Sequence, residues 1–565
     1  MASVGSSSPK STLERALDEM QAAIGREHVL TSSEALKRYS RDTSPRERPV
    51  SAVVFPGSTE EVQAVARIAA GMKVPIWPVS TGKNWGFGAA MACDPGSIIV
   101  ILERMNRILE VDKDLAYAVI EPGVTQQQLY DYLQVHQTGL WMDCTDSTPS
   151  ASVLGNSLER GIGYTPYGDH FGQLSGLEVV LPDGEIVRTG GGPPNLKTWN
   201  TSKWGTGPYV DGLFSQSNFG IVTKAGVWLM PQPEKFTAFF LELADAGDFS
   251  ALIDELRRLV MAGILQSKIH MPNELVVLAL ATQYPYDLRG PDGLLSDDTI
   301  AALREKYALQ PWTMTGGVYG TAEQVRVNRA AIRAALGRFG RLNFVDDRRL
   351  SFLKKVTGAM KASEGKPFRS WLLKWALKLL GATKPRERLE IIPVLFGVLQ
   401  GVPSEHIVKM GEYFMAHHPP PESNIDPTRH GDSGGLLWFP VLVPFTGRHM
   451  SEVIDICRPI FRKHRFEFAC VVNQLNARTL IALIIIGFDK QNPEEEERAW
   501  ELHQALMKAT LLAGYQQFRT HIEAMPDILS CSPALVGFLG IIKSALDPHQ
   551  VLAAKRYGVS KQGAS

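Results

Sequence analysis

Short apolar segments alternate with longer segments of helical periodicity along the first part of the chain. In residues 51–82 an apolar segment, a polar turn, a helical pattern and a second apolar segment follow one another. Ser58 can cap a helix, and Glu60 and Glu61 place negative charge in its first turn, where the helix dipole favours it. The pattern therefore predicts a β-α-β unit that ends in a loop at residues 80–90.

The same patterns divide the chain into parts. A helix is predicted at about residues 13–24, and residues 97–125 alternate strands with turns before another helix begins. Residues 236–263 predict a strand and a capped helix, and a strand–helix–strand pattern returns in residues 436–488. We interpret the chain as an α+β protein in which a sheet-plus-helix domain is inserted into the first domain. The predicted divisions are residues 1–235, 236–505 and 506–565.

Composition narrows the function classes. The 565 residues contain 59 basic and 59 acidic side chains, so no overall positive field favours nucleic acid. The five cysteines are scattered without a CxxC pair, which predicts free thiols and no metal site. The polar N-terminus lacks the apolar core of a secretory signal, and residues 480–487, the strongest apolar run, are strand-sized. A cytoplasmic protein is the expectation.

One basic and apolar segment, residues 368–388, stands apart. Its helical spacing favours a surface helix that packs Trp371 and Trp375 on the core and turns its lysines outward. Contact with a membrane surface is the alternative.

Two glycine-rich stretches are candidates for binding a phosphate-bearing ligand. The loop at residues 80–90 combines Gly82, Gly86 and Gly88 with Lys83, so that backbone N–H groups and a charge can face one anion. A plain glycine turn is the alternative. Residues 153–223 begin and end with runs of glycine and short polar residues, but they match neither a P-loop nor a GxGxxG fingerprint.

Four blocks resemble the vanillyl-alcohol oxidase/p-cresol methylhydroxylase flavoproteins in order and spacing. They are residues 74–90, residues 152–172 with YTPYGDH, residues 207–231 with DGLFSQSN, and the pair 514–521 and 545–555. The resemblance implies a two-lobed protein whose PCMH-type FAD-binding lobe comes from the N-terminal half and the C-terminal segment. The inserted domain would be a cap over the flavin that forms the substrate pocket.

The resemblance also implies the residues around the cofactor. The loop from Ser80 to Gly88 resembles the pyrophosphate loop, and Ile221 and Val222 match a strand whose backbone meets the adenine side. The implied FAD-binding residues are Ser80, Thr81, Gly82, Lys83, Asn84, Gly86, Gly88, Ser152, Asn156, Gly161, Tyr164, Thr165, Gly168, His170, Gly220, Ile221, Val222, Arg519 and Lys555.

Family members remove a hydride from a carbon para to a phenol, and two tyrosines and an arginine hold the phenolate. Here the positions of the tyrosines carry Phe87 and Phe518, and Arg519 alone remains. Each lost charge-assisted hydrogen bond would be worth about 1.5–3 kcal/mol to a buried phenolate. The paired loss predicts a changed substrate, although both rings could simply fill aromatic volume.

Other departures concern the flavin. Asp146 or Ser147 would stand near flavin N5, depending on where a one-residue insertion is placed. Leu436 occupies the place of the family's covalent link, with His430 a few residues upstream, so we expect non-covalent FAD. Arg478 matches an arginine that shapes the site in relatives, or else caps a strand end. Tyr164 is expected to line the substrate cavity.

These observations predict an FAD-dependent oxidoreductase, an expected homo-oligomer. It would abstract hydride from a benzylic or allylic carbon, or from an alcohol carbon, of a hydrophobic aromatic or unsaturated substrate. The expected substrates include non-phenolic and O-alkylated compounds. An ordinary 4-alkylphenol oxidase or methylhydroxylase, and a catalytically eroded flavin-binding protein, are the alternatives.

Overall fold

The computed structural model describes residues 10–145, 147–191, 195–280, 282–362, 386–405, 413–414 and 434–559. It has mixed helix and sheet, as the sequence predicts. Asp146, His430 and residues 368–385 of the basic amphipathic segment lie outside the described residues.

A four-stranded sheet with two helices opens the chain. Helices α1 (Thr12–Ile24) and α3 (Thr59–Met72) pack on each other, and the Ser58 side chain accepts a hydrogen bond of 3.2 Å from the Glu61 N–H at the start of α3. The short α2 is Ser33–Lys37. The strands, in spatial order β1-β2-β4-β3 and parallel except for β1, are β1 (Val29–Leu30), β2 (Ala52–Val54), β3 (Ile76–Val79) and β4 (Ile98–Ile101).

An antiparallel sheet completes the first lobe, with the spatial order β5-β6-β10-β8-β9. Its strands are β5 (Ile108–Asp112), β6 (Tyr117–Ile120), β8 (Leu174–Val180), β9 (Ile186–Arg188) and β10 (Ile221–Trp228). Helices α4 (Gln126–Val135) and α5 (Val153–Leu158) belong to the same lobe, and β7 (Leu140–Trp141) pairs with β11 (Met230–Pro231).

A seven-stranded antiparallel sheet forms the cap, in the spatial order β15-β12-β14-β13-β17-β18-β16. Its strands are β12 (Lys235–Leu243), β13 (His270–Pro272), β14 (Thr313–Gly320), β15 (Gly340–Val345), β16 (Gly434–Pro444), β17 (Ala469–Asn476) and β18 (Thr479–Asp489). The cap helices are α6 (Phe249–Met261), α7 (Glu274–Ala279), α8 (Asp297–Tyr307), α9 (Ala322–Leu336), α10 (Asp347–Ala362), α11 (Arg386–Val398), α12 (Gly447–Lys463) and α13 (Pro493–Leu512).

The two faces of the cap sheet have different partners, because successive side chains of a strand point to opposite sides. On β16, Leu437, Phe439 and Val441 are buried in the main hydrophobic core together with residues of helices α6, α12 and α13. The alternate residues, Trp438 and Pro440, line a cavity between the cap and the first lobe. One face of the sheet thus packs against the core of the cap, and the other face forms the roof of the cavity.

The C-terminal segment returns to the first lobe, as the sequence predicts. Leu552 forms a parallel bridge with Ile76 of β3, and α14 (Pro533–Leu546) carries the fully buried Lys543. The Lys543 ammonium donates to the Asn218 and Leu552 carbonyls, at 2.7 Å each, and lies 2.8 Å from the Asp547 carboxylate. The predicted domain boundaries at residues 235 and 505 stay a prediction.

The described part of the chain contains no helix with the length and apolar character needed to cross a lipid bilayer.

Replacing Lys543 with methionine should lower the free energy of unfolding by about 3–5 kcal/mol, because Asp547 would remain buried without its cation. Lys508→Met, at an exposed position of α13, is the matched control. The measurement is the urea midpoint followed by tryptophan fluorescence, with proteolysis of the C-terminal segment as a second readout. Equal midpoints for the two variants would contradict the role given to Lys543.

Candidate active site

The cavity lies under the cap sheet, faces the glycine-rich blocks of the first lobe and has a volume of about 320 Å³. Thirteen of the residues predicted to surround the cofactor line it, although they come from four separate parts of the chain. They are Ser80, Thr81, Gly82, Lys83, Asn84, Ser152, Asn156, Gly161, Tyr164, Gly220, Ile221, Val222 and Arg519.

The glycine loop is held from behind rather than left free. Gly86 and Gly88 have positive φ angles of 70° and 113°. A Cβ on Gly86 would lie 2.5 Å from the Trp438 side chain, and a Cβ on Gly88 would lie 2.6 Å from the Ile522 side chain. The Gly88 N–H donates a bond of 2.9 Å to the Asp42 carboxylate, whose pKa is raised by burial. Gly86 and Gly88 therefore shape the loop from one layer behind the cavity wall.

The loop and the second glycine-rich block touch each other. The Ser152 side chain accepts a bond of 2.8 Å from the Gly155 N–H at the start of α5, and the Ser152 N–H donates to the Thr81 hydroxyl at 3.2 Å. A Cβ on Gly155 would lie 2.9 Å from the Ser80 side chain, so glycine permits this approach. Backbone groups of both blocks thus form one continuous wall.

A buried polar network supports this wall from outside the cavity. Asp143 accepts hydrogen bonds from the N–H groups of Tyr164 and Thr165, at 3.1 and 2.8 Å. His170 Nδ1 lies 2.6 Å from Asn156 Oδ1, and His170 Nε2 lies 3.3 Å from Asp143 Oδ1. Three predicted cofactor residues, Thr165, Gly168 and His170, do not line the cavity. They lie behind its wall, in the layer that supports it.

Arg519 is the cationic group at one end of the cavity. Its guanidinium lies 4.2 Å from the centre of the Phe87 ring and donates to the Asn84 side-chain oxygen. No carboxylate forms an ion pair with it among the described residues, its Nε is buried without a hydrogen-bond partner there, and burial lowers its pKa. The Phe518 N–H donates to the Pro440 carbonyl at 2.8 Å, which ties the segment to β16. A guanidinium in this setting favours an anionic or strongly polar oxygen.

Tyr164 and two cap residues form a second polar region. The buried Tyr164 ring meets the His270 ring edge-on, with centroids 5.1 Å apart, and His270 Nδ1 lies 2.9 Å from Asn473 Oδ1. Burial lowers the pKa of His270 to about 4, so the imidazole is neutral near pH 7. Neither cap residue was predicted from the sequence; the only signal is a polar residue, Asn473, at a cavity-facing position of an apolar strand.

Two predicted residues lie elsewhere. Arg478 is exposed in the turn between β17 and β18, because it falls beyond the part of the sheet that roofs the cavity. Lys555 is directed to the surface, where its ammonium lies 3.0 Å from Asp94. The neighbouring Arg556 lines the cavity instead, paired with Glu159 and placed 5.0 Å from the Trp77 ring. Sequence reasoning missed it by one position.

The positions near the predicted flavin ring are partly described. Ser147 lines the cavity, and Asp146 lies outside the described residues. Leu436 also lines the cavity and is held by Thr43, whose carbonyl accepts from the Leu436 N–H at 2.9 Å and whose hydroxyl donates to the Leu436 carbonyl at 3.1 Å. A leucine side chain has no nucleophilic atom to bond to a cofactor.

The residues present fit FAD. The wall formed by residues 80–84 and 152–163 is glycine-rich and free of large side chains where the two blocks approach, and the guanidinium of Arg556, paired with Glu159, offers N–H donors beside it. Residues 217–222 extend the same wall along β10. Bound here, FAD would supply hydride acceptance, and the cap face that carries Trp438 would form the opposite wall of the cavity.

Asp143→Asn should weaken FAD binding at least tenfold, because two backbone N–H groups would lose a charged acceptor worth about 1.5–3 kcal/mol per bond. Asp183→Asn is the control, since Asp183 accepts a backbone bond of 2.9 Å in the exposed turn between β8 and β9 and does not line the cavity. The dissociation constant can be measured from the recovery of free-flavin fluorescence on dilution. An unchanged constant in Asp143→Asn would show that the network does not support the wall.

Comparisons with known proteins support FAD as the cofactor. A family model described as an FAD binding domain matches residues 50–190. The chain is 32% identical over 548 residues to 1'-carboxy-chondrochloren decarboxylase from Chondromyces crocatus, which covers 96% of this chain and 97% of the relative. The crystal structure of p-cresol methylhydroxylase with substrate bound is similar with a TM-score of 0.84, 28% identity and 98% of each chain covered.

A structure of 4-ethylphenol oxidase from Gulosibacter chungangensis, in complex with isoeugenol, gives a TM-score of 0.84 at 26% identity over 99% of each chain. Near-complete coverage at this identity extends the likeness from the FAD-binding lobe to the cap and the C-terminal segment. The chain belongs to the vanillyl-alcohol oxidase/p-cresol methylhydroxylase family of FAD-dependent oxidoreductases.

Proposed function

We propose that this protein oxidises an aromatic or otherwise unsaturated hydrophobic compound by removal of a hydride from a benzylic or allylic carbon, or from an alcohol carbon. The observation that carries the proposal is Arg519, a cation without a described carboxylate partner at one end of a cavity whose roof is mostly apolar. A p-cresol methylhydroxylase and a 4-ethylphenol oxidase among the similar structures support an aromatic substrate.

Arg519 would hold an oxygen attached to the substrate ring. A cation beside a phenol favours its deprotonated form, and the electron-rich phenolate releases a hydride from a conjugated carbon more readily than the phenol does. Phe87 and Phe518 would flank the ring and restrict its orientation through their faces and edges. Asn84 fixes the guanidinium by accepting one of its N–H groups, so the charge stays at that end of the cavity.

A second candidate, ordinary oxidation of a 4-alkylphenol through a p-quinone methide, is favoured by the same guanidinium. Among the described residues no carboxylate neutralises it, which supports an anionic oxygen over an ether. Phe87 and Phe518 argue in the other direction, because they offer no hydroxyl donors to a phenolate. The Chondromyces crocatus relative is named a decarboxylase, so loss of a side-chain carboxyl group belongs among the tested outcomes.

The proposal is tested by anaerobic mixing of the holoenzyme with phenols, their methyl ethers, benzylic alcohols, allylic terpenoids and carboxylated aryl compounds. We expect bleaching of the oxidised flavin absorbance by at least one aromatic donor, with release of carbon dioxide measured in parallel. Bleaching by none of them would contradict the proposal and favour a catalytically eroded flavin-binding protein.

Restoring the two hydroxyl groups should raise the preference for phenols. In the double variant Phe87→Tyr, Phe518→Tyr, the bleaching rate with 4-ethylphenol relative to 4-ethylanisole should increase at least tenfold, because the new hydroxyls donate to a phenolate and not to an ether. Phe214→Tyr, which adds a hydroxyl elsewhere in the same cavity, is the control. An unchanged ratio would show that Phe87 and Phe518 do not contact the substrate oxygen.

We also propose that FAD is held without a covalent bond, because Leu436 stands where relatives form the link. Precipitation of the holoenzyme with acid should release the flavin into the supernatant. Yellow colour that stays in the pellet after washing would show a covalent link through some other residue.

A further inference from the structure

His270 and Asn473 are neighbours on adjacent antiparallel strands. They are register partners of β13 and β17, and both line the cavity. The other cavity-facing residues nearby on the sheet, Val471, Ile481 and Leu483, are apolar. A polar pair at this place has no role in the cap core, because the core lies on the opposite face of the sheet.

The pair presents one hydrogen-bond donor and one acceptor to the cavity. If Asn473 Oδ1 accepts from His270 Nδ1, then His270 Nε2 is an unprotonated acceptor and the Asn473 amide nitrogen is a donor. If the amide is turned, the two roles exchange and the sum is the same. No described residue makes a hydrogen bond to either free group. The lowered pKa of His270, caused by burial, keeps the ring neutral and preserves this pairing.

The position of the pair is fixed by both lobes. His270 packs edge-on against Tyr164 of the FAD-binding lobe, and the Lys268 N–H donates to the Tyr164 carbonyl at 3.0 Å. A polar group held in this way is preorganised to recognise a ligand, since no conformational freedom is lost when the ligand binds.

The pair lies at the opposite end of the cavity from Arg519. The strand order β13-β17-β18-β16 places three inter-strand spacings, about 14 Å, between His270 and the strand that holds Phe518. Between them the roof carries apolar side chains such as Ile481, Leu483 and Trp438. The part of the cavity beneath the cap sheet is therefore bipolar, with a cation at one end and a neutral donor–acceptor pair at the other.

We propose that His270 and Asn473 are specificity-determining residues that bind a hydroxyl or carboxyl group at the end of the substrate side chain remote from Arg519. A hydroxyl group offers one donor and one acceptor, and a carboxyl group does so when it is bound in its protonated form, so each is the complement of the pair. The inference rests on the proposed function in taking this cavity as the substrate site. It identifies the substrate as an elongated aryl compound with a polar end group, and not a simple 4-methylphenol.

The test compares the binding of three probes of similar length to the oxidised holoenzyme: 3-(4-hydroxyphenyl)propan-1-ol, 3-(4-hydroxyphenyl)propanoic acid and 4-butylphenol. Dissociation constants are taken from the perturbation of the flavin spectrum. We expect at least one polar probe to bind tenfold or more tightly than 4-butylphenol, and the better of the two identifies hydroxyl or carboxyl as the natural end group.

Variants assign that preference to the pair. Asn473→Leu and His270→Phe should abolish it, and His270→Gln should retain most of it because glutamine also offers a donor and an acceptor. Asn476→Leu, at the exposed end of the same strand β17 and away from the cavity lining, should leave it unchanged. Flavin content and melting temperature show that each variant is folded. Equal binding of the three probes by the unmodified protein, binding of none, or a preference that survives in Asn473→Leu would overturn the inference.

The two proposals fail in different ways, because binding is measured without turnover. A preference for polar probes with no flavin bleaching by any donor would remove the proposed function and leave this site. Bleaching by aryl donors with no preference for a polar end group would do the reverse.

Discussion

The alternation of side chains along the strands of the cap sheet is the constraint on which the rest of the structure depends. Strand β16 pairs with β18 residue for residue from Gly434 to Pro444, so its register is fixed over its whole length. A slip by one residue would bring Phe439 and Val441 into the cavity and put Trp438 among the helices. The same register that builds the cap core therefore selects the residues that line the cavity.

The cation of Arg519 is the second constraint, because an arginine in apolar surroundings must find partners. Asn84 and Phe87 provide a carbonyl dipole and a ring face, and both belong to the glycine loop that also forms the cofactor wall. Under the proposed function, one loop would thus contact both the cofactor and the substrate oxygen. The Asp42 carboxylate accepts from the Gly88 N–H and so fixes the loop backbone from the side away from the cavity. A different aromatic side chain at position 87 therefore leaves the path of the loop unchanged.

Most of the fold could be predicted from local sequence patterns. The helix predicted at residues 13–24 is α1, and Ser58 is the N-cap residue of α3 as predicted. Both could be predicted because amphipathic spacing and helix capping depend on residues that are close in the sequence. The candidate site was harder. Arg556 lies one position from Lys555, and only the packed structure shows which of these two side chains reaches the cavity. Asp143 supports the wall through bonds to the N–H groups of Tyr164 and Thr165, more than twenty positions away, which no local pattern predicts. His270 and Asn473 are 203 positions apart, and no local pattern joins them.

The bipolar cavity has a consequence for the direction in which a substrate can bind. Arg519 comes from the C-terminal segment and is held at β16 through Phe518, whereas His270 and Asn473 belong to β13 and β17. If the remote end group is a hydroxyl, a reversed substrate would place an anionic oxygen against a neutral imidazole and leave the guanidinium without its anion. Each lost charge-assisted hydrogen bond would cost about 1.5–3 kcal/mol, enough to favour one orientation strongly. Under the proposed function, a fixed orientation would bring the same carbon to the cofactor wall each time, so the two ends of the cavity would select both the compound and the position of its oxidation.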